Sequence, residues 1–235
     1  MKPILLRSAL VAALGGLLFG FDTAVISGAE GSLSVLFAET YSSLSSLVGT
    51  ESFWHGFTVA SALIGTIAGA LVFGKPADAF GRKRMLYILG VLYFISALGS
   101  ALAFSWSFFV IMRFIGGLAV GGSSVVAPMY NAEISPARFR GRMVALTQFN
   151  IVFGILLAYV SNYLIKSMDL GEITWRWMFG VEAIPALAFV ILLIFNPRSP
   201  RWLISKNLVE EARRVLDRVG ADSDNIGKEI EDIQA

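Results

Sequence analysis

Asp22, Arg113 and Glu182 are the three ionisable side chains that fall well inside long apolar stretches of this 235-residue chain. A charge near the centre of a bilayer costs about 3 kcal/mol on insertion scales, which makes such residues candidates for function. Two carboxylates and one arginine offset part of each other's desolvation, and the group can hold a proton when the arginine is engaged elsewhere. That chemistry is a proton-coupling switch: protonating Asp22 releases Arg113 toward Glu182 or another acceptor, and the helices that carry them can repack. The same three residues would equally serve as a static buried ion network that fixes helix register.

The elements that must position them are apolar stretches at residues 8–29, 54–74, 85–104, 108–130, 143–165 and 177–195. A helix needs about 20 residues to cross a hydrocarbon core of about 30 Å, and each stretch is close to that length. Backbone amides in hydrocarbon need internal partners, so the spans must be helices, and a closed barrel would show short alternating segments instead. Asp22 lies seven residues from the outer end of its span, and Arg113 and Glu182 lie five from theirs. At 1.5 Å per residue all three sit about 8 to 10 Å below the outer surface, where they can meet.

Composition agrees with lipid as the solvent. Hydrophobic residues make up 56% of the chain and charged residues 15%, too little polar surface for a soluble globule of this size. Cysteine is absent and histidine occurs once, which argues against disulfides, thiolate or histidine metal sites and a Ser-His-Asp triad, so no metal and no cofactor is expected. A net charge of +2 is too small to point to nucleic acid. The apolar run after Arg7 has no convincing small-residue cleavage site, and the first stretch is expected to remain a span.

Lys2, Arg7, Lys75, Arg82, Lys83, Arg84, Arg138, Arg140 and Arg142 fall on one side if the spans alternate, against Lys166 and Arg176 on the other. The positive-inside rule then places both termini in the cytoplasm and the loop 30–53, with its three glutamates, outside. The expected division is a transmembrane bundle at 1–199 followed by a charged cytoplasmic segment at 200–235. In that segment Leu208, Ala212, Val215, Leu216 and Val219, and again Ile226, Ile230 and Ile233, recur at helical spacing. Two short amphipathic helices packed on the helix ends are the expectation.

Gly15-Gly16-Leu17 followed by Gly20 is echoed by Gly116-Gly117-Leu118 followed by Gly121. The echo suggests that spans one and four are equivalent members of a three-plus-three inverted repeat. The simpler reading is close helix packing, since Gly16 with Gly20, Gly65 with Gly69 and Gly117 with Gly121 all form GxxxG faces.

Four runs carry a resemblance: GGLLFGFDTAVISGA at 15–29, GKPADAFGRKR at 74–84, AEISPARFRGR at 132–142 and PRSPRWL at 197–203. In order and spacing they resemble the sugar porter family of the major facilitator superfamily, over almost the whole chain. The resemblance implies an all-α membrane protein: a six-helix bundle that forms the N-terminal half of a twelve-helix alternating-access carrier, plus the start of a cytoplasmic helical domain. It implies a missing C-terminal half, or a second copy of this chain, as partner.

In that family the aspartate matching Asp22 is the protonation site of proton-coupled members and sits against the arginine matching Arg113, while Glu182 matches an acidic position of some bacterial symporters. Asp22 therefore favours symport over facilitated diffusion. Gln148 by itself could be an interhelical hydrogen-bonding amide, worth about 0.6 kcal/mol; in the family the matching glutamine bonds sugar hydroxyls, and Phe19 matches an aromatic on the sugar face. Ile155 stands where xylose-type symporters carry a second glutamine, which favours a hexose over a pentose.

Gly74, Asp78, Gly81 and Arg82 follow the superfamily's signature loop, with Asp78 placed to accept from amides of a neighbouring helix. Glu133 and Arg140 resemble the family's inner gate, and Arg198 replaces the glutamate usual in PESPRW, which puts one contact of that gate in question. The implied function is monosaccharide:proton symport by a multi-pass protein of the plasma or inner membrane. A sugar or polyol facilitator is the nearest rival, and a membrane sensor or subunit without transport is another.

Overall fold

A computed structural model describes residues 3–135 and 140–219, with backbone only at residues 3–7, 9, 10, 12, 140 and 219. Among the described residues the regular structure is helical: α1 Pro3–Leu36, α2 Ala38–Ser45, α3 Glu51–Val72, α4 Gly74–Phe80, α5 Arg82–Ala101, α6 Trp106–Ile134 and α7 Arg140–Ser167, then a 3-10 turn Gly171–Ile173, α8 Thr174–Val181, α9 Ala183–Ile194, α10 Pro200–Ser205 and α11 Val209–Val219. Starts are chemically marked: Thr50, Ser105 and Ser199 each accept, through the side-chain oxygen, a backbone N–H of the first turn, and Pro200 follows Ser199 where its missing N–H costs nothing.

Glu51–Val72, Arg82–Ala101, Trp106–Ile134, Gly141–Ser167 and Gly171–Ile194 are long and apolar enough to cross a membrane. These are five of the six expected spans; the first lies within α1, part of whose side chains fall outside the described residues. Leu63, Ile67 and Leu71 on α3 and Val144, Phe149, Val152 and Leu156 on α7 point outward and are exposed, a pattern that only lipid or a partner bundle can cover.

The sixth stretch departs from one uninterrupted helix. Pro185 has no N–H to give to the carbonyl four residues back, that of Val181, and its ring crowds that carbonyl. The helix breaks at Glu182, between α8 and α9, while Ala186 N still donates to Glu182 O at 3.2 Å.

α1 lies along α7, and α3 along α6. A Cβ at Gly65 or Gly69 would collide with the carbonyls of Phe114 and Leu118, and one at Gly117 or Gly121 with those of Ala62 and Thr66. A Cβ at Gly20 would strike the Ile151 carbonyl, and one at Gly154 the Leu17 carbonyl. The two echoed glycine runs thus do the same job: span one packs on span five, and span four on span two, the pairing that an inverted repeat of three helices produces. The repeat and the close-packing readings describe the same contacts.

Two apolar clusters fill the bundle. One, toward the basic end, joins Leu18, Leu86, Leu89, Tyr130, Phe189 and Leu193 with Leu203 and Ile204 of α10 and Ala212, Val215 and Leu216 of α11. Ala212, Val215 and Leu216 of the stripe expected on the first amphipathic helix therefore cover the helix ends, whereas Leu208 is exposed and the side chain of Val219 lies outside the described residues. The second expected helix, with Ile226, Ile230 and Ile233, lies outside the described residues. The other cluster, around Phe21, Val25, Phe109, Trp175 and Phe179, fills the opposite end.

Candidate functional site

α1, α6 and the α8–α9 break converge on the first group. Arg113 Nη1 donates to Asp22 Oδ1 at 2.6 Å, and Nη2 donates to the Asp22 backbone oxygen at 3.3 Å and to Oδ2 at 3.5 Å. Both side chains are buried, and Glu182 is within electrostatic reach of both. The depth counted along three separate spans thus brings the three side chains together.

The surroundings leave this group incompletely satisfied. The guanidinium carbon of Arg113 stands 5.2 Å from the centroid of the Phe179 ring, a cation–π contact one turn before Glu182. Arg113 Nε and Glu182 Oε2 have no partner among the described residues. A buried donor and a buried acceptor that are both unpaired are costly to keep, so the arrangement has capacity for a proton and for a rotated arginine. Gly116 gives the carboxylate its room: a Cβ there would lie 3.6 Å from Asp22 Oδ1 and against the Ser96 hydroxyl. No local pattern singles out Phe179, but the break at Glu182 has a readable signal in Pro185.

One turn away along α1, Phe19 lines a cleft of about 370 Å³ together with Gly15, Gly16, Ser124, Pro128 and Gln148. Gln148 is exposed on the α7 face turned to this cleft, with no hydrogen bond among the described residues, whereas its neighbour Asn150 spends its amide on Leu146 O at 2.8 Å. Asn162 Nδ2 donates to Val25 O at 3.0 Å, tying α7 to α1. Ile155 is not in the cleft wall; it packs against the cluster around Phe21 and Val25. Phe19 and Gln148 are therefore brought together, and Ile155 stands apart from them.

At the basic end a second polar network forms. Arg82 Nη2 pairs with Asp78 Oδ1 at 2.7 Å and with Glu133 Oε1 at 2.9 Å, and Ser199 Oγ donates to Glu133 Oε2. Asp78 is paired with Arg82 and has no backbone amide bonded to its carboxylate among the described residues, while its backbone oxygen accepts from Trp202 Nε1 at 3.0 Å. Gly81 has φ of +93°, and a Cβ there would come within 3.0 Å of the Trp202 ring, so both backbone and space demand glycine. Gly74 opens α4 with open space around it. The side chain of Arg140 lies outside the described residues. Ser199, capping α10 while bonding Glu133, is a member of this network that its motif alone did not reveal.

The comparisons with known proteins follow the same lines. The family model described as sugar (and other) transporter matches residues 8–235. The chain is 44% identical over 232 residues to the D-xylose-proton symporter of Escherichia coli (strain K12), covering 89% of this chain and 47% of that one. It is 41% identical over 244 residues to the glucose transport protein of Synechocystis sp. (strain ATCC 27184 / PCC 6803 / Kazusa), covering 100% of this chain and 49% of the relative. A solved structure of the xylose transporter XylE from E. coli, partially occluded and inward open, superposes with a TM-score of 0.90 at 40% identity, over 98% of this chain and 58% of that one. The chain spans about half the length of the relatives it matches. Members of this family are transporters and not enzymes. By the extent of these matches and by its fold, the chain belongs to the sugar porter family of the major facilitator superfamily.

Proposed function

We propose that the chain supplies the N-terminal six-helix half of a monosaccharide:proton symporter that works by alternating access. The observation that carries the reading is the buried Asp22–Arg113 pair with Glu182 beside it, one helical turn from a cleft that holds Phe19 and Gln148. With Asp22 ionised, Arg113 ties α6 to α1. With Asp22 protonated the tie weakens, the guanidinium turns toward the unpaired oxygen of Glu182, and α1 can shift with the aromatic ring that faces the sugar. Gln148, with an unspent amide, is the hydrogen-bonding partner for sugar hydroxyls on this half.

At the other end, the Arg82–Glu133–Ser199 network is assigned as the latch that holds the cytoplasmic side, with both termini of the bundle facing the cytoplasm in accord with the basic residues. The substrate is assigned as a hexose ahead of a pentose on the sequence departure at Ile155 alone, which lies outside the Phe19–Gln148 cleft and lacks the amide that xylose-type carriers hold at that position of α7. Relatives named for xylose and for glucose support the monosaccharide class.

The test uses proteoliposomes of the complete carrier that contains this half. Adding glucose or xylose is expected to alkalinise the medium, with glucose the better competitor. A wild-type carrier that moves sugar without alkalinisation would establish a facilitator instead and overturn the symport reading.

A further inference from the structure

Outside both polar networks, Lys83 at the start of α5, Asn196 and Arg198 after α9, and Glu211, Arg214 and Arg218 on α11 line an open cleft of about 470 Å³. Its charged groups are four cations and one carboxylate, a net charge of +3. Glu211 Oε2 meets Arg198 Nη1 at 3.5 Å with both side chains half exposed, too loose and too wet a pair to neutralise the site. Lys83 Nζ donates to Ile194 O at 2.9 Å and keeps two further donors. Arg214 and Arg218 lie on exposed positions one turn apart and take part in no ion pair among the described residues.

Asn196 is the independent observation. It is 2% exposed, and neither its Nδ2 nor its Oδ1 has a partner among the described residues. Buried amides in folded proteins are almost always hydrogen-bonded, and an orphan in the wall of a cationic cleft calls for a ligand that accepts hydrogen bonds. The sequence departure at Arg198 points the same way. With the glutamate that this motif usually carries, the net charge of the cleft would fall from +3 to +1.

We infer that this cleft binds a phosphate group, held by Lys83, Arg198, Arg214 and Arg218 and by the amide of Asn196. A phosphate offers several acceptor oxygens and up to two negative charges, which matches convergent guanidinium forks better than a single carboxylate does. Lys83 in the cleft wall bonds the carbonyl of Ile194, the last residue of the final spanning stretch, and lipid headgroups lie at the ends of such spans. The phosphate can therefore belong to an anionic phospholipid or to a small soluble phosphate.

The experiment titrates the purified chain in uncharged detergent with inorganic phosphate against chloride at matched ionic strength, and measures retention of phosphatidylglycerol against phosphatidylcholine by native mass spectrometry. Arg214→Gln combined with Arg218→Gln removes two exposed cations without touching the core, and is expected to weaken binding about twenty-fivefold, at about fivefold per cation. Asn196→Asp is expected to weaken it further by repulsion. Saturable phosphate binding identifies a soluble ligand and selective phosphatidylglycerol retention a lipid, either result supporting the site when the variants lower it. Absence of both, or binding unchanged in the arginine double variant, overturns the proposal.

Discussion

Arg113 reaches Asp22 twice, through the carboxylate at 2.6 Å and through the backbone oxygen of the same residue at 3.3 Å, so a single side chain of α6 holds both the charge and the backbone of α1. Loss of the charge alone leaves the backbone bond in place. A switch built this way loosens without falling apart.

Asp22→Asn is therefore expected to keep the fold while cutting uptake driven by an inward proton gradient at least about tenfold, because no titrating group remains at that oxygen. Sugar counterflow, which needs no net proton movement, is expected to persist. Arg113→Leu is expected to be far worse: it strands Asp22 and Glu182 in the interior, at a cost of about 3–5 kcal/mol. Thermal unfolding and the two transport assays separate the outcomes, and equal gradient-driven uptake in wild type and Asp22→Asn contradicts the assignment.

Gln148→Ala is expected to raise the apparent KM for sugar about tenfold, the loss of one or two hydrogen bonds at about 1 kcal/mol each, with little change in protein stability. Asn150→Ala is the internal control, since its amide is already spent on Leu146 O. A similar KM in both variants would remove Gln148 from the sugar site.

Packing of the paired helices is tested at the glycines. Gly117→Leu drives a side chain into the Ala62 carbonyl and is expected to prevent the α3–α6 contact, seen as loss of monodisperse protein in detergent. Gly56→Ala meets nothing within 4 Å and is expected to leave the protein folded, with a gain of up to about 1 kcal/mol from helix propensity. Comparable behaviour of the two variants in size-exclusion chromatography would refute the close approach.

Gly81→Ala combines a φ of +93° with the Trp202 ring at 3.0 Å. With ψ of 145° the backbone lies in a region that glycine alone adopts readily, so the strain alone is about 1–3 kcal/mol, and the Trp202 ring must move to admit the methyl. In a background with the other four tryptophans replaced by phenylalanine, Trp202 fluorescence reports this, because its indole N–H bonds Asp78 O. An unshifted emission maximum would mean that Gly81 is not pressed against Trp202.

Much of this protein is legible without coordinates. Long apolar runs fix helices that lipid must surround, because backbone amides have no other partner in hydrocarbon. Three charges at matched distances from span ends imply a meeting point, since helical rise is constant. Only the tertiary structure decides what each polar group spends its bonds on. Glu133 takes Arg82 and Ser199, Asp78 takes Arg82, Phe179 lies under Arg113, and Ile155 packs with the cluster around Phe21 and Val25. These choices depend on how helices are rotated and offset against each other. Those quantities are set by glycine contacts between segments distant in sequence, which no local pattern encodes.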